Sequence, residues 1–135
     1  MSRVQKAFIK GVKVSERHGA GDWTAERLSS ALLVPLTLWV LWSGWTLADA
    51  GYEAALDWFS SPLNAGLLIA THLIICWHMA LGMTVIVDDY IHRPASRNGL
   101  VWSSNLFCLA LAALGVFLIV RLALGSAPLP AGLGA

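Results

Sequence analysis

The sequence predicts an all-α integral membrane protein of three transmembrane helices, on the strength of its composition, the placement of its charges and the length of its apolar runs. Of 135 residues, 57% are hydrophobic and 13% charged, about half the charge that a soluble domain carries. No Lys, Arg, Asp or Glu falls from Leu28 to Leu47, from Trp58 to Val87 or from Asn98 to Val120. Each run reaches the roughly 20 residues that take a helix across a bilayer. The spans are expected at about 28–47, 65–88 and 99–121, within a membrane domain of 23–124.

Residues 1–22 read as a basic cytoplasmic arm. Arg3, Lys6, Lys10, Lys13 and Arg17 stand here, and Arg27 follows at the edge of the first span. The arm has no short apolar core followed by a cleavage site, so a secretory leader is not expected. In the first span Pro35 removes a backbone donor and crowds the carbonyl of Ala31, which predicts a kink. The loop after it carries Asp49, Glu53 and Asp57 without Lys or Arg, whereas the loop between the second and third spans carries Arg93 and Arg97. By the positive-inside rule the amino terminus and the second loop face the cytoplasm, and three crossings leave the carboxyl terminus outside. Arg121, ending the third span, has a stem long enough to reach that outer surface. Residues 125–135, rich in Gly and Pro, read as a flexible tail.

The net charge of +1 gives no reason to expect a nucleic-acid partner. Cys76 and Cys108 lie inside spans, belong to no C-x-x-C pair, and read as small packing residues. Trp39, Trp42, Trp45, Trp58 and Trp102 read as interfacial anchors or packing between helices.

Polar groups at membrane depth cost up to about 2.5–3.5 kcal/mol on insertion scales, so each requires a reason. The second span holds His72 and His78 and ends in Asp88-Asp89-Tyr90. At 100° and about 1.5 Å per residue, Asp89 lies roughly 20° from His78 in azimuth and about 17 Å further along the helix. Thr71, Ile75, His78, Gly82, Val85 and Asp89 thus form one stripe, expected to pack against other helices. His72 sits about 240° from His78, so the two cannot share one iron. His78 has two readings, an axial haem ligand or a histidine hydrogen-bonded to another helix; His72 reads as a packing histidine. The first and third spans hold no histidine, so a haem with two histidine ligands would need another polypeptide. Arg27 is placed to pair with a haem propionate, or alternatively to anchor topology or bridge to Glu26 or Asp22. Ser29 and Ser30 bond back to backbone carbonyls. Asp89 and Tyr90 are either a proton-delivering and hydrogen-bonding pair for a lipid-soluble substrate or an ordinary helix end.

The segment from His78 through Gly82 to Asp89-Tyr90 resembles the H-x3-G-x6-D-Y signature of the succinate dehydrogenase small cytochrome b membrane-anchor subunits. The order of elements is similar too: a basic arm, Trp23 followed four residues later by Arg27, hydroxyl residues opening the first span, and two further spans. Where some members carry a histidine before Asp22, this chain has Gly21. The resemblance implies three helices packing with a larger cytochrome b anchor subunit around haem b, with His78 as axial ligand and Arg27 near the propionates. It implies ubiquinone bound at Tyr90 with Asp89 supporting proton delivery. It further implies docking of the flavoprotein and iron–sulfur subunits at the cytoplasmic face of a bacterial inner membrane. The alternatives are a fumarate reductase anchor, working in the opposite direction with menaquinone, and a non-redox membrane scaffold. The charge asymmetry carries one expectation that can be checked directly. A reporter fused at the carboxyl terminus will be active only when exported, and activity in the cytoplasm overturns this orientation.

Overall fold

A computed structural model describes the backbone of residues 3–125 and the side chains of residues 20–125. The expected tail lies outside the described residues except for Gly125, as do the side chains of the arm before Ala20. Four helices follow in order: α1 (Arg3–Leu47), α2 (Gly51–Ser60), α3 (Pro62–Tyr90) and α4 (Pro94–Ala123). No strand occurs among the described residues. Three segments, Ala20–Leu47, Pro62–Tyr90 and Pro94–Ala123, are long and apolar enough to cross a membrane, which makes this a multi-pass membrane protein. At 1.5 Å per residue they measure about 42–45 Å, longer than the roughly 30 Å hydrocarbon layer, so their ends extend into the headgroup region.

The helix boundaries have local causes. Pro62 and Pro94 open α3 and α4 at the first turn, where the missing N–H has no intrahelical partner to lose and the fixed φ suits a helix. Pro35 lies inside α1 without ending it. Between α1 and α2 the chain reverses at Gly51, whose φ of +82° is open to glycine at little cost. The loop read from sequence as merely acidic therefore contains a short helix, α2. Its Trp58 stacks on Trp39 of α1 with ring centroids 5.6 Å apart, and the Asn64 amide of α3 donates to the Trp58 carbonyl at 3.1 Å. Trp58 thereby ties α1 and α2 to the start of α3.

α3 is the centre of the fold. It packs against α1 on one side and α4 on the other, and α1 and α4 do not touch each other among the described residues. Contact of Ser29 with His78, and of Trp39 with the segment before α3, shows that α1 and α3 run antiparallel. The stripe expected to pack against other helices is only partly covered within this chain. Thr71 is buried, yet Ile75 and Val85 of that stripe are 45% and 41% exposed. The α4 side is served by another stripe, about 160° round from His78, where Cys76 and Val87 are buried. A helix flanked on both sides needs two seams, and a single heptad pattern reports only one of them.

Small residues make the α3–α4 seam close. Cys76 and Cys108 are both buried there, as expected for residues that let backbones approach in lipid. Nearer the start of α3 the Nε2–H of His72 donates to the Leu111 carbonyl at 3.0 Å. Gly115 makes this possible, because a Cβ at that position would collide with the imidazole ring. Gly115→Ala should therefore destabilise the protein by about 1–3 kcal/mol, the usual cost of overpacking, and His72→Ala in the same chain should recover part of the loss. Thermal unfolding in mild detergent checks both, and a single variant as stable as the parent overturns the packing account.

Candidate functional site

The polar residues of the membrane domain gather at two depths. The deeper level is His78, only two residues beyond the midpoint of α3. Its Nδ1 lies 2.9 Å from the hydroxyl of Ser29 on α1. Ser29 is wholly buried, and its hydroxyl also lies 2.9 Å from the carbonyl of Glu26. Ser30 donates to the same carbonyl at 2.8 Å. The expected back-bonding of the two serines is thus present, and Ser29 does more than back-bond. No pattern in the sequence could have paired it with a residue 49 positions away.

His78 lines a groove between α1 and α3 together with Ser30, Val34, Thr37 and Leu38. The Nε2 of His78 has no hydrogen-bond partner among the described residues. One turn beyond, a side chain at Gly82 would meet no atom within 4 Å, so α3 offers a flat open surface beside the imidazole. Arg27 is exposed, one turn before Ser30 on α1. Its guanidinium lies over the Trp23 ring at 5.1 Å from the centroid. It makes no ion pair with Glu26 or Asp22 among the described residues; the stacked ring instead supports the cation at the rim. His72, by contrast, has its Nε2 engaged by Leu111 on the other side of α3.

The shallower level is the end of α3. Asp88 receives two hydrogen bonds from the Arg97 guanidinium, at 2.5 and 2.8 Å, across the corner into α4. This fork-to-fork pairing orients both groups, although at half-exposed positions such a pair contributes little stability. Asp88 is therefore occupied in holding the corner. Asp89 is exposed and has no hydrogen-bond partner among the described residues, and Tyr90 is 77% exposed at the last position of the helix. The structure brings His78 together with Ser29 and Ser30 of α1, leaves Arg27 exposed and stacked on Trp23, and leaves Asp89 and Tyr90 about 17 Å further along α3. No cluster of His, Cys, Asp and Glu suited to a metal ion occurs among the described residues.

Comparison with known proteins agrees with the architecture. The family model described as the succinate dehydrogenase/fumarate reductase transmembrane subunit matches residues 9–124. The succinate dehydrogenase hydrophobic membrane anchor subunit of Rickettsia typhi is 30% identical over 95 residues, covering 70% of this chain and 76% of that protein. The protein of the same name from Rickettsia prowazekii is 28% identical over 93 residues, covering 69% and 74%. The succinate dehydrogenase membrane anchor subunit of Reclinomonas americana is 25% identical over 87 residues, covering 62% and 72%. No solved structure matches the chain.

Proposed function

The chain belongs to the succinate dehydrogenase/fumarate reductase transmembrane subunit family, and we propose that it serves there as the anchor that holds haem b through His78 and receives ubiquinone at Tyr90. In this role it assembles with a larger cytochrome b anchor subunit, which supplies the second histidine, and docks the iron–sulfur and flavoprotein subunits. The orientation carries over from the loop charges: amino terminus and α3–α4 corner in the cytoplasm, carboxyl terminus in the periplasm, in a bacterial inner membrane.

The observation that carries this reading is the state of His78. It is a mid-membrane imidazole held at one nitrogen, free at the other, and set in a groove between two helices. A histidine kept only for packing would more naturally resemble His72, whose Nε2 is engaged by the opposite helix. Gly82 leaves room for a flat group beside the ring, and Arg27, one turn before Ser30 on α1, offers a guanidinium to its carboxylates. Bound there, a haem would supply one-electron redox chemistry, while the protein supplies the ligand, its orientation and the surrounding polarity.

At the rim, quinone reduction takes up two protons, and water reaches the end of α3 because the helix outruns the hydrocarbon layer. The Tyr90 phenol, with a reference pKa of about 10, can donate to a quinone carbonyl while keeping its proton. Asp89 is the neighbouring carboxyl able to pass a proton inward, since Asp88 is committed to Arg97.

Two substitutions test the reading in the assembled complex. His78→Leu should abolish the low-spin b-type spectrum, and a spectrum identical to the parent's overturns the ligand assignment. Tyr90→Phe should keep haem and keep succinate oxidation with a dye that takes electrons from the soluble subunits. Its quinone reduction should fall roughly ten- to over a hundred-fold, the kinetic equivalent of a lost bond of about 1.5–3 kcal/mol to a developing anion. Unchanged quinone reduction across a range of quinone concentrations removes Tyr90 from the site.

A further inference from the structure

We propose that Ser29 is a positioning residue that fixes the tautomer of His78, so that Nδ1 carries the proton, Nε2 presents its lone pair to the groove, and the basicity of that lone pair is set by the bond to Ser29. The inference rests on the reading of His78 as the haem ligand, and goes beyond it by assigning which nitrogen binds and what tunes it.

The geometry supports this by counting protons. The Ser29 hydroxyl has one proton and two neighbours at 2.9 Å, the Glu26 carbonyl and His78 Nδ1. A carbonyl can only accept. If Ser29 gave its proton to Nδ1, its oxygen would face the Glu26 carbonyl lone pair to lone pair at 2.9 Å, and that contact would be lost as a hydrogen bond. If instead Nδ1–H donates to the Ser29 oxygen and the Ser29 hydroxyl donates to Glu26, both contacts are satisfied. The second arrangement gives a directed relay: Nδ1–H to Ser29, and Ser29 to the main chain of α1.

The relay also lies where it is strongest. Ser29 has no exposed surface, and in so dry a place each hydrogen bond polarises the next. A metal-binding histidine generally donates its other N–H to a partner that orients the ring and raises ligand basicity. Here that partner is a neutral hydroxyl backed by a backbone carbonyl. Electron density pushed towards Nε2 favours the oxidised state of a metal bound there, which lowers its midpoint potential. Removing the acceptor should therefore raise that potential.

The experiment uses the assembled complex carrying Ser29→Ala or Ser29→Cys, with equilibrium redox measurement and low-temperature electron paramagnetic resonance of the low-spin haem. The midpoint potential should rise in both variants, more in Ser29→Ala than in Ser29→Cys, because a thiol is a near-isosteric but weaker acceptor. The g-values should shift in the same order, while dye-linked succinate oxidation stays at the parent level. If Ser29→Ala fails to retain haem, the Ser29→Cys potential decides. An unchanged or lowered potential in the variants that keep haem overturns the proposal, even where haem occupancy has dropped. A His78→Leu complex with the parent's spectrum would instead sink the ligand reading itself, so the two failures are distinguishable.

Discussion

α3 has to satisfy a helix on each side, and the placement of its two histidines follows from that demand. Lipid chains are as apolar as leucine, so burial between helices gains little, and register must come from close packing and hydrogen bonds. α3 meets its two neighbours with two histidines about 120° apart in azimuth. His72 reaches the main chain of α4 through the gap left by Gly115, and His78 reaches the Ser29 hydroxyl of α1. Interhelical hydrogen bonds in membranes average only about 0.6 kcal/mol. Their importance lies in geometry: each has one partner at one height, so together they fix how far both neighbours slide along α3.

The same arrangement leaves much of the molecule uncovered. Few residues of the spanning segments are buried within the chain, Cys108 alone in α4, and α1 presents Leu38, Leu41, Trp42 and Trp45 outward. In water such a surface would drive aggregation; in a bilayer it is merely solvated by acyl chains. The groove of His78 is also mainly apolar, but it holds one imidazole nitrogen, Nε2, that has no hydrogen-bond partner among the described residues. A polar atom left unpaired at membrane depth is costly, and a partner that supplies both apolar surface and a group for that nitrogen removes the cost. That requirement links the incompleteness of the three-helix layer to the proposed haem and second anchor subunit.

Much of this was legible beforehand because the membrane simplifies the rules. Charge-free runs of sufficient length must be helices, although α3 and α4 begin at Pro62 and Pro94, three and five residues before the expected spans. His78, Gly82 and Asp89 could be placed on one face by counting 100° steps. What the periodicity of α3 could not convey was that it has two seams, because Cys76 and Val87 look no different from lipid-facing residues when all surroundings are apolar. Helix α2 was hidden within a loop judged by its charges. Ser29 was visible only as a hydroxyl able to bond to its own helix, and its second bond depends on how α1 slides past α3. Asp88 and Asp89 are adjacent and chemically identical, and only the fold shows that Arg97 occupies the first of them.

Depth orders the chemistry along α3. At the rim, where the helix leaves the hydrocarbon, carboxylates and guanidinium groups remain partly hydrated, and two aspartates in sequence are tolerated. Near the midpoint only neutral groups occur, and they are hydrogen-bonded. This explains why the partner of His78 is a serine. A carboxylate on Nδ1–H would polarise the imidazole more strongly, but ionised at that depth it would cost about 2.5–3.5 kcal/mol or more. A hydroxyl that passes its own proton to a main-chain carbonyl gains part of the same polarisation from dipoles already present in α1, with no net charge brought to the centre of the membrane.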